Sequence, residues 1–304
     1  KKTLLNKSIK FTNSLKIIKN FNLYIVTVPT PILKNQTPDL KHLKNVCNNL
    51  SKIIKKKDIV IFESTVYPGL TKNYCIPLLE KKNSLKEGLD FFVGYSPERV
   101  NPGDNTHDLK KIDKILAYPY LYLKKELLRL YSLISKKIIF TKNIREAETA
   151  KVIENIQRDV NIGLINEIYL FCEKLNINFN NVIDLASTKW NFLKFDPGLV
   201  GGHCLPVDPY YFSFISKKNS FKTRITLAGR YINDSMEEII RKKIKKKLAS
   251  INPNNNKKVL ICGLTYKKNV ADLRNEKIWL TLYSYNPVEG EYFDDNPTGY
   301  LGIK

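Results

Sequence analysis

Four short runs of unbroken apolar, largely β-branched residues, alternating with stretches of helical period, limit what this chain can fold into. They are Leu23-Tyr24-Ile25-Val26-Thr27-Val28, the Asp58 to Glu63 segment, Phe91-Phe92-Val93-Gly94 and Ile138-Ile139-Phe140. A strand with apolar residues at every position is covered on both faces, which is the condition of a parallel sheet flanked by helices. The first run closes on Pro29-Thr30-Pro31, and residues 39–56 then place Leu40, Leu43, Val46, Leu50 and Ile53 or Ile54 on one helical face. A helix starting at Gly69 follows the second run, and one over 120–134 lies between the third and fourth. The pattern predicts an α/β fold with a doubly wound parallel sheet.

From Ile144 to about Leu175 there is no proline and one glycine, Gly163, which predicts a single helix of unusual length. Helices of that kind connect domains or form oligomer interfaces. Further helix is expected over 180–188 and 222–248, then a polar linker, Asn252-Pro253-Asn254-Asn255-Asn256, and a new strand from Lys258 to Gly263.

Composition excludes several classes. At 304 residues and 43% hydrophobic content the chain can bury a sizeable core. No apolar stretch approaches a membrane span, and the start has no long apolar signal segment. The start also lacks methionine, as expected for a chain beginning inside a longer protein. The net charge of +22 comes mostly from dispersed lysines such as Lys55-Lys56-Lys57 and Lys245-Lys246-Lys247. Without an arginine-rich block or interleaved aromatic residues, no nucleic-acid partner is expected. Cys47, Cys75, Cys172, Cys204 and Cys262 form neither a C-x-x-C pair nor a metal-ligand spacing, so no metal and no disulfide framework is expected, and the cytoplasm is the natural compartment.

The segment Gly201-Gly202-His203-Cys204-Leu205-Pro206-Val207-Asp208-Pro209-Tyr210-Tyr211 combines a flexible backbone, a thiol and a carboxylate four residues beyond it. It reads either as a nucleophile loop or as a Gly-Pro turn around a small buried cysteine. Pro206 and Pro209 argue against a regular helix there. Lys151 and Asn155, four apart on the long helix, share a face and would supply an oxyanion site, or else an exposed polar stripe. Thr65 follows a strand at its carboxyl end, where ligands bind in open α/β sheets, or acts as a cap. Glu98 in Ser96-Pro97-Glu98-Arg99 is a general base or a partner of Arg99. His203 adjoins Cys204, but adjacent side chains point apart.

These segments occur in order with Glu63-Ser64-Thr65-Val66-Tyr67-Pro68-Gly69, Ser96 to Asp104, Glu148-Thr149-Ala150-Lys151, and Gly263-Leu264-Thr265-Tyr266-Lys267 with Arg274. Together, from about Phe21 to Asn275, they resemble the UDP-glucose/GDP-mannose dehydrogenase family. Ser96 to Asp104, with Gln157-Arg158-Asp159-Val160-Asn161, looks most like the branch acting on UDP-N-acetylhexosamines. The resemblance implies NAD as cofactor, a UDP-sugar substrate, a homodimer or higher homo-oligomer, a place in polysaccharide biosynthesis, and a four-electron oxidation of the C6 alcohol to a carboxylate. Cys204 would be the nucleophile, passing through a thiohemiacetal and a thioester. Lys151 and Asn155 would stabilise oxyanions, Thr65 and Asp208 would hold a water, and Glu98 would be the hydrolytic base. Thr30, Thr65, Glu98 and Arg274 would meet NAD. Glu98, Arg99, Lys151, Asn155, Leu193, Lys194, Phe195, Asp196, Pro197, Gly201 and Lys267 would line the substrate. Other readings are a UDP-glucose or GDP-mannose 6-dehydrogenase, or a non-catalytic sugar-nucleotide-binding remnant.

Three departures from the family shape the expected organisation. No Gly-x-Gly-x-x-Gly turn occurs, so the first strand-turn-helix of the Rossmann domain is expected to be missing. Trp279 to Lys304 is unlike the family, and Lys114-Ile115-Leu116-Ala117-Tyr118 stands where the family turns through glycines. The chain is accordingly divided into a partial NAD-binding domain (1–143), a central helical dimerisation and catalytic segment (144–250) and a partial UDP-sugar-binding domain (251–304), with impaired activity expected.

Overall fold

The computed structural model describes residues 9–82, 84–101 and 110–250. In chain order these form α1 (Leu15–Ile18), β1 (Leu23–Val26), α2 (Lys41–Leu50), β2 (Ile59–Phe62), a π-helical turn (Thr71–Cys75) running into α3 (Ile76–Glu80), β3 (Phe92–Tyr95), β4 (Lys114–Ala117), α4 (Lys124–Ser132), β5 (Ile138–Thr141), α5 (Ile144–Lys174), α6 (Phe179–Ala186), α7 (Asp208–Lys218) and α8 (Arg224–Ser250). The described residues within Lys1–Val160 and Cys204–Ala228 make one compact unit, and those within Asn161–His203 and Gly229–Lys304 a second.

The first unit is built on a sheet in the order β1-β2-β3-β4-β5. β1, β2 and β3 are parallel, with Leu23 opposite Ile59 and Ile59 opposite Phe92. Every residue of β2 is buried, as its unbroken apolar run requires. Its side chains alternate: Val60 and Phe62 join a core with Leu43, Cys47 and Leu50 of α2, while Ile59 and Ile61 join Leu127 and Tyr131 of α4. That period-two partition places a helical layer on each face, the α/β layering that the alternating apolar runs predict.

Two expectations need correction. The Lys114 to Tyr118 segment contains a strand, β4, which meets β3 antiparallel through Tyr95 opposite Ala117 and pairs parallel with β5, so the sheet is mixed. Its leading lysine hid it, since a charged residue reads as surface; Lys114 is in fact buried and ion-paired to Glu63 at 3.3 Å. The second concerns the Pro206–Pro209 segment, where a regular helix was not expected. α7 begins at Asp208 with Pro209 in its first turn. Proline is tolerated there because its missing N–H would have had no intrahelical acceptor.

In the second unit α5 and α8 cross at two glycines. A Cβ on Gly163 would lie 2.8 Å from the Gly229 carbonyl oxygen and 2.9 Å from its Cα, so glycine is what this approach requires. One turn beyond, the Asn166 amide donates to Asn233 Oδ1 at 2.8 Å, and both side chains are fully buried. α6 is capped by Asn178, whose side chain accepts from the Asn181 N–H at 3.2 Å.

Candidate active site

The carboxyl ends of β1 and β2 are tied together by side chains that follow each strand. Ser64 Oγ donates to the Val28 carbonyl at 2.6 Å, and Thr30 Oγ1 donates to the Thr65 carbonyl at 2.7 Å. Tyr211 of α7 donates its hydroxyl to the Thr30 carbonyl at 2.7 Å. Thr30 and Thr65 therefore stand on one shelf at the edge where ligands collect in parallel α/β sheets.

α5 closes this shelf from another direction. The Glu148 carboxylate, fully buried, accepts the backbone N–H of Gly69 and, at 3.0 Å, that of Thr71. Its pKa is raised because burial outweighs those donors and the nearby Arg145 cation. One turn further along α5 comes Lys151, 7% exposed, and then Asn155, 3% exposed. Neither belongs to an exposed polar stripe.

Asn155 Nδ2 donates to Asp208 Oδ2 at 2.6 Å. Asp208, 2% exposed, is raised from 3.8 to about 6 by burial, against the pull of the Asn155 hydrogen bond and the Lys151 and Arg158 cations. A carboxyl group titrating there can exchange a proton near neutral pH. The Cys204 carbonyl accepts the N–H groups of Val207 and Asp208, each at 3.0 Å, which seats the thiol-bearing residue one turn ahead of α7. Cys204 is partly accessible, whereas Cys47, Cys75 and Cys172 are buried. The buried-cysteine turn is thus the weaker of the two readings. His203 is exposed, and Gly202 has φ +86°, the conformation for which adjacent glycines are suited.

Glu98 and Arg99 do not form an ion pair with one another. Arg99 pairs with Glu154 at 2.9 Å and donates to the Asp113 carbonyl at 2.7 Å. Glu98 Oε1 instead accepts the N–H groups of Arg99 and Val100, at 2.7 and 2.6 Å, and its other oxygen lies 3.7 Å from Lys114 Nζ. Lys114 also meets Glu63, to which Tyr131 donates at 2.7 Å. Sequence reasoning assigned no role to Glu63, Lys114, Glu148 or Arg158. Glu63 and Glu148 carried one signal, a carboxylate placed in or against an otherwise apolar element.

The proposed substrate loop belongs to the second unit. Gly198 is gripped at both ends of its peptide group by Asn166, which accepts its N–H at 2.7 Å and donates to its carbonyl at 3.0 Å. Lys194 pairs with Asp184 at 3.4 Å with both side chains exposed, Leu193 and Asp196 are exposed, and Phe195, Pro197 and Gly201 are half-buried. Lys267 and Arg274, with the expected strand at 258–263, lie outside the described residues. Among the described residues no group of three His, Cys, Asp or Glu is arranged to hold a metal, and no helix is long and apolar enough to cross a membrane.

Residues 1–131 match the NAD binding domain, and residues 145–235 the central domain, of the UDP-glucose/GDP-mannose dehydrogenase family. The chain is 44% identical over 276 residues to the UDP-N-acetyl-D-glucosamine 6-dehydrogenase of Salmonella typhi, covering 89% of this chain and 64% of that protein. It is 43% identical over 277 residues to Protein CapL of Staphylococcus aureus, covering 90% and 65%. The chain thus spans about 65% of the length of these relatives. Among solved structures, the UDP-D-ManNAc dehydrogenase of Pyrococcus horikoshii superposes with a TM-score of 0.81 at 32% identity, over 91% of this chain and 65% of that one. With both family domains matched in order along the strands and helices that carry Thr65, Glu98, Lys151, Asn155, Cys204 and Asp208, this chain belongs to the UDP-glucose/GDP-mannose dehydrogenase family.

Proposed function

We propose that this chain acts in an NAD-dependent dehydrogenase that oxidises the C6 hydroxyl of a UDP-N-acetylhexosamine to the carboxylate. The observation that carries the reading is the buried Asn155–Asp208 pair, with Lys151 one turn away on α5 and accessible Cys204 one turn before Asp208. The hexosamine is favoured over glucose or mannose by the 44% identity to a UDP-N-acetyl-D-glucosamine 6-dehydrogenase.

The setting suits a dinucleotide: Thr30 and Thr65, joined by the hydrogen bond from Thr30 Oγ1 to the Thr65 carbonyl, stand at the carboxyl edge of parallel strands. Thr30, Thr65 and Glu98 would hold NAD, which when bound accepts one hydride at each of the two oxidations. The remaining work belongs to the chain. Lys151 Nζ and the Asn155 amide donate to the oxygen on C6 as it gains negative charge. Cys204 Sγ adds to the aldehyde carbon as a thiohemiacetal and holds the carbon as a thioester after the second oxidation. Thr65 and Asp208 orient a water, Glu98 takes its proton, and addition of that water releases the uronate and restores the thiol. Arg99 would contact the substrate.

The same reading places residues 1–143, 144–250 and 251–304 as NAD-binding, helical dimerisation and UDP-sugar-binding segments. It makes the protein a cytoplasmic homodimer or higher homo-oligomer in polysaccharide biosynthesis.

Incubation with NAD and UDP-N-acetylglucosamine tests the reading, with uronate and NADH followed together. Cys204→Ser should abolish uronate while leaving UDP-sugar binding by calorimetry intact. Uronate formation at an unchanged rate in that variant would exclude the thioester route.

A further inference from the structure

We infer that Arg158 is a positioning residue that fixes the orientation of the Asn155 amide, and through it the partner of Asp208. The inference rests on the reading of Asn155 as an oxyanion donor. Arg158 lies one turn beyond Asn155 on α5, and its Nη2 donates to Asn155 Oδ1 at 3.2 Å while Asn155 Nδ2 donates to Asp208 Oδ2 at 2.6 Å. A guanidinium has only donors and an ionised carboxylate only acceptors, so only one of the two amide orientations satisfies both neighbours. The amide oxygen must face Arg158 and its NH2 group must face Asp208.

One amide hydrogen is committed to Asp208, leaving the second as the donor for charge developing on the substrate. Without Arg158 the amide is held by Asp208 alone, and whenever Asp208 takes up a proton the amide can turn over to accept it, losing the oxyanion donor. A preorganised donor is worth most when it does not have to reorient during reaction.

The groups facing Asp208 are few. Lys151 and Arg158 approach from α5, Tyr211 from its own helix and Tyr95 from the end of β3, the two phenols being raised by burial and by the carboxylate. Lys151 is a charge that acts without Asn155. Arg158 exerts such a direct pull too, but it alone also holds the Asn155 amide, and only that part of its action depends on Asn155.

The test reads Asp208 through the pH dependence of Cys204 alkylation by iodoacetamide, followed by peptide mass spectrometry, with Asp208→Asn identifying the inflection that belongs to Asp208. Arg158→Met should move that inflection upward by about half a pH unit or more, since the Asn155 donor to the ionised form is less firmly held and a nearby cation is gone. In an Asn155→Ala background the same substitution should move it by clearly less, the remainder being the direct pull of the Arg158 cation on the carboxylate. An equal shift with and without Asn155 would show that Arg158 acts only as a charge. Because Asn155→Ala empties a buried position, a second measurement avoids it. With 15N-asparagine labelling, the Asn155 side-chain NH2 should exchange with solvent at least about tenfold faster in Arg158→Met than in the unsubstituted protein, as freeing a held amide allows. Equal exchange in the two proteins would overturn the inference. Neither readout needs turnover, so failure to oxidise a UDP-sugar would count against the proposed function and leave this result standing.

Discussion

Asp208→Asn offers a direct measure of how the protein environment holds this carboxyl group. With its folded value raised to about 6 from 3.8, the folded state binds the proton more tightly than the unfolded chain between those limits. Stability drawn from Asp208 is therefore present at low pH and declines as pH rises from about 4 to about 6, then levels off. The decline should be on the order of 3 kcal/mol. Denaturant melts across that range should show it in the unsubstituted protein, on top of the same-signed contribution of Glu148, and lose it in Asp208→Asn. Identical pH slopes in the two proteins would mean that Asp208 is not held as the buried pair implies. Lys151→Met is a companion prediction, expected to cost about 10²-fold or more in turnover, as removal of an oxyanion donor does. A loss confined to KM would instead make Lys151 a binding group. Lys151 with Asn155, and Cys204 with Asp208, were readable in sequence as pairs four residues apart, but the contact that joins Asn155 to Asp208 spans 53 residues and leaves no local signal. Arg158 was not readable, because an exposed arginine one turn from an asparagine is an ordinary sight on a helix. Its meaning comes only from what Asn155 touches on its other side.

The elements follow similar lines. β1, β2, β3 and β5 were visible as unbroken apolar runs, and α5 as a proline-free stretch, because burial on two faces and helix continuity each leave a local signature. β4 was concealed by Lys114, whose burial depends on Glu63 arriving from another strand, and the start of α7 by Pro209, whose cost depends on its place in the first turn. Gly163 was evident as the single glycine of α5, but its purpose lies in α8. Gly163→Ala would gain intrinsic helix propensity of about 1 kcal/mol if the position were free. At 2.8–2.9 Å from the Gly229 backbone the added methyl must push the helices apart, and the contact is with backbone that cannot rotate away. The net effect should be a loss of roughly 1–3 kcal/mol, the range for overpacking. A denaturant melt showing Gly163→Ala to be more stable would mean that α5 and α8 do not cross this closely.

For the molecule as a whole, charge and apolar surface pull association in opposite directions. The chain carries 51 Lys and Arg against 29 Asp and Glu, a net +22, so two copies repel at long range. Yet Leu164 and Phe171 are both exposed and lie seven residues apart on α5, which puts them on one face of the helix. Large apolar side chains aligned on one helix face are where a second copy would find apolar area to bury. If the protein is a homodimer or larger through this face, association must overcome like-charge repulsion, which salt screens over about 10 Å at about 0.1 M. Apolar burial is not weakened by screening. Sedimentation should therefore show tighter association as salt rises from about 0.02 to about 0.5 M, the reverse of an assembly held by ion pairs. Leu164→Glu with Phe171→Glu should yield a 35.2 kDa monomer at every salt concentration, because burying either carboxylate costs more than the lost apolar contact supplies. An oligomer that dissociates on adding salt would assign the contact to charged groups, and a double variant of unchanged mass would move the interface away from this face of α5.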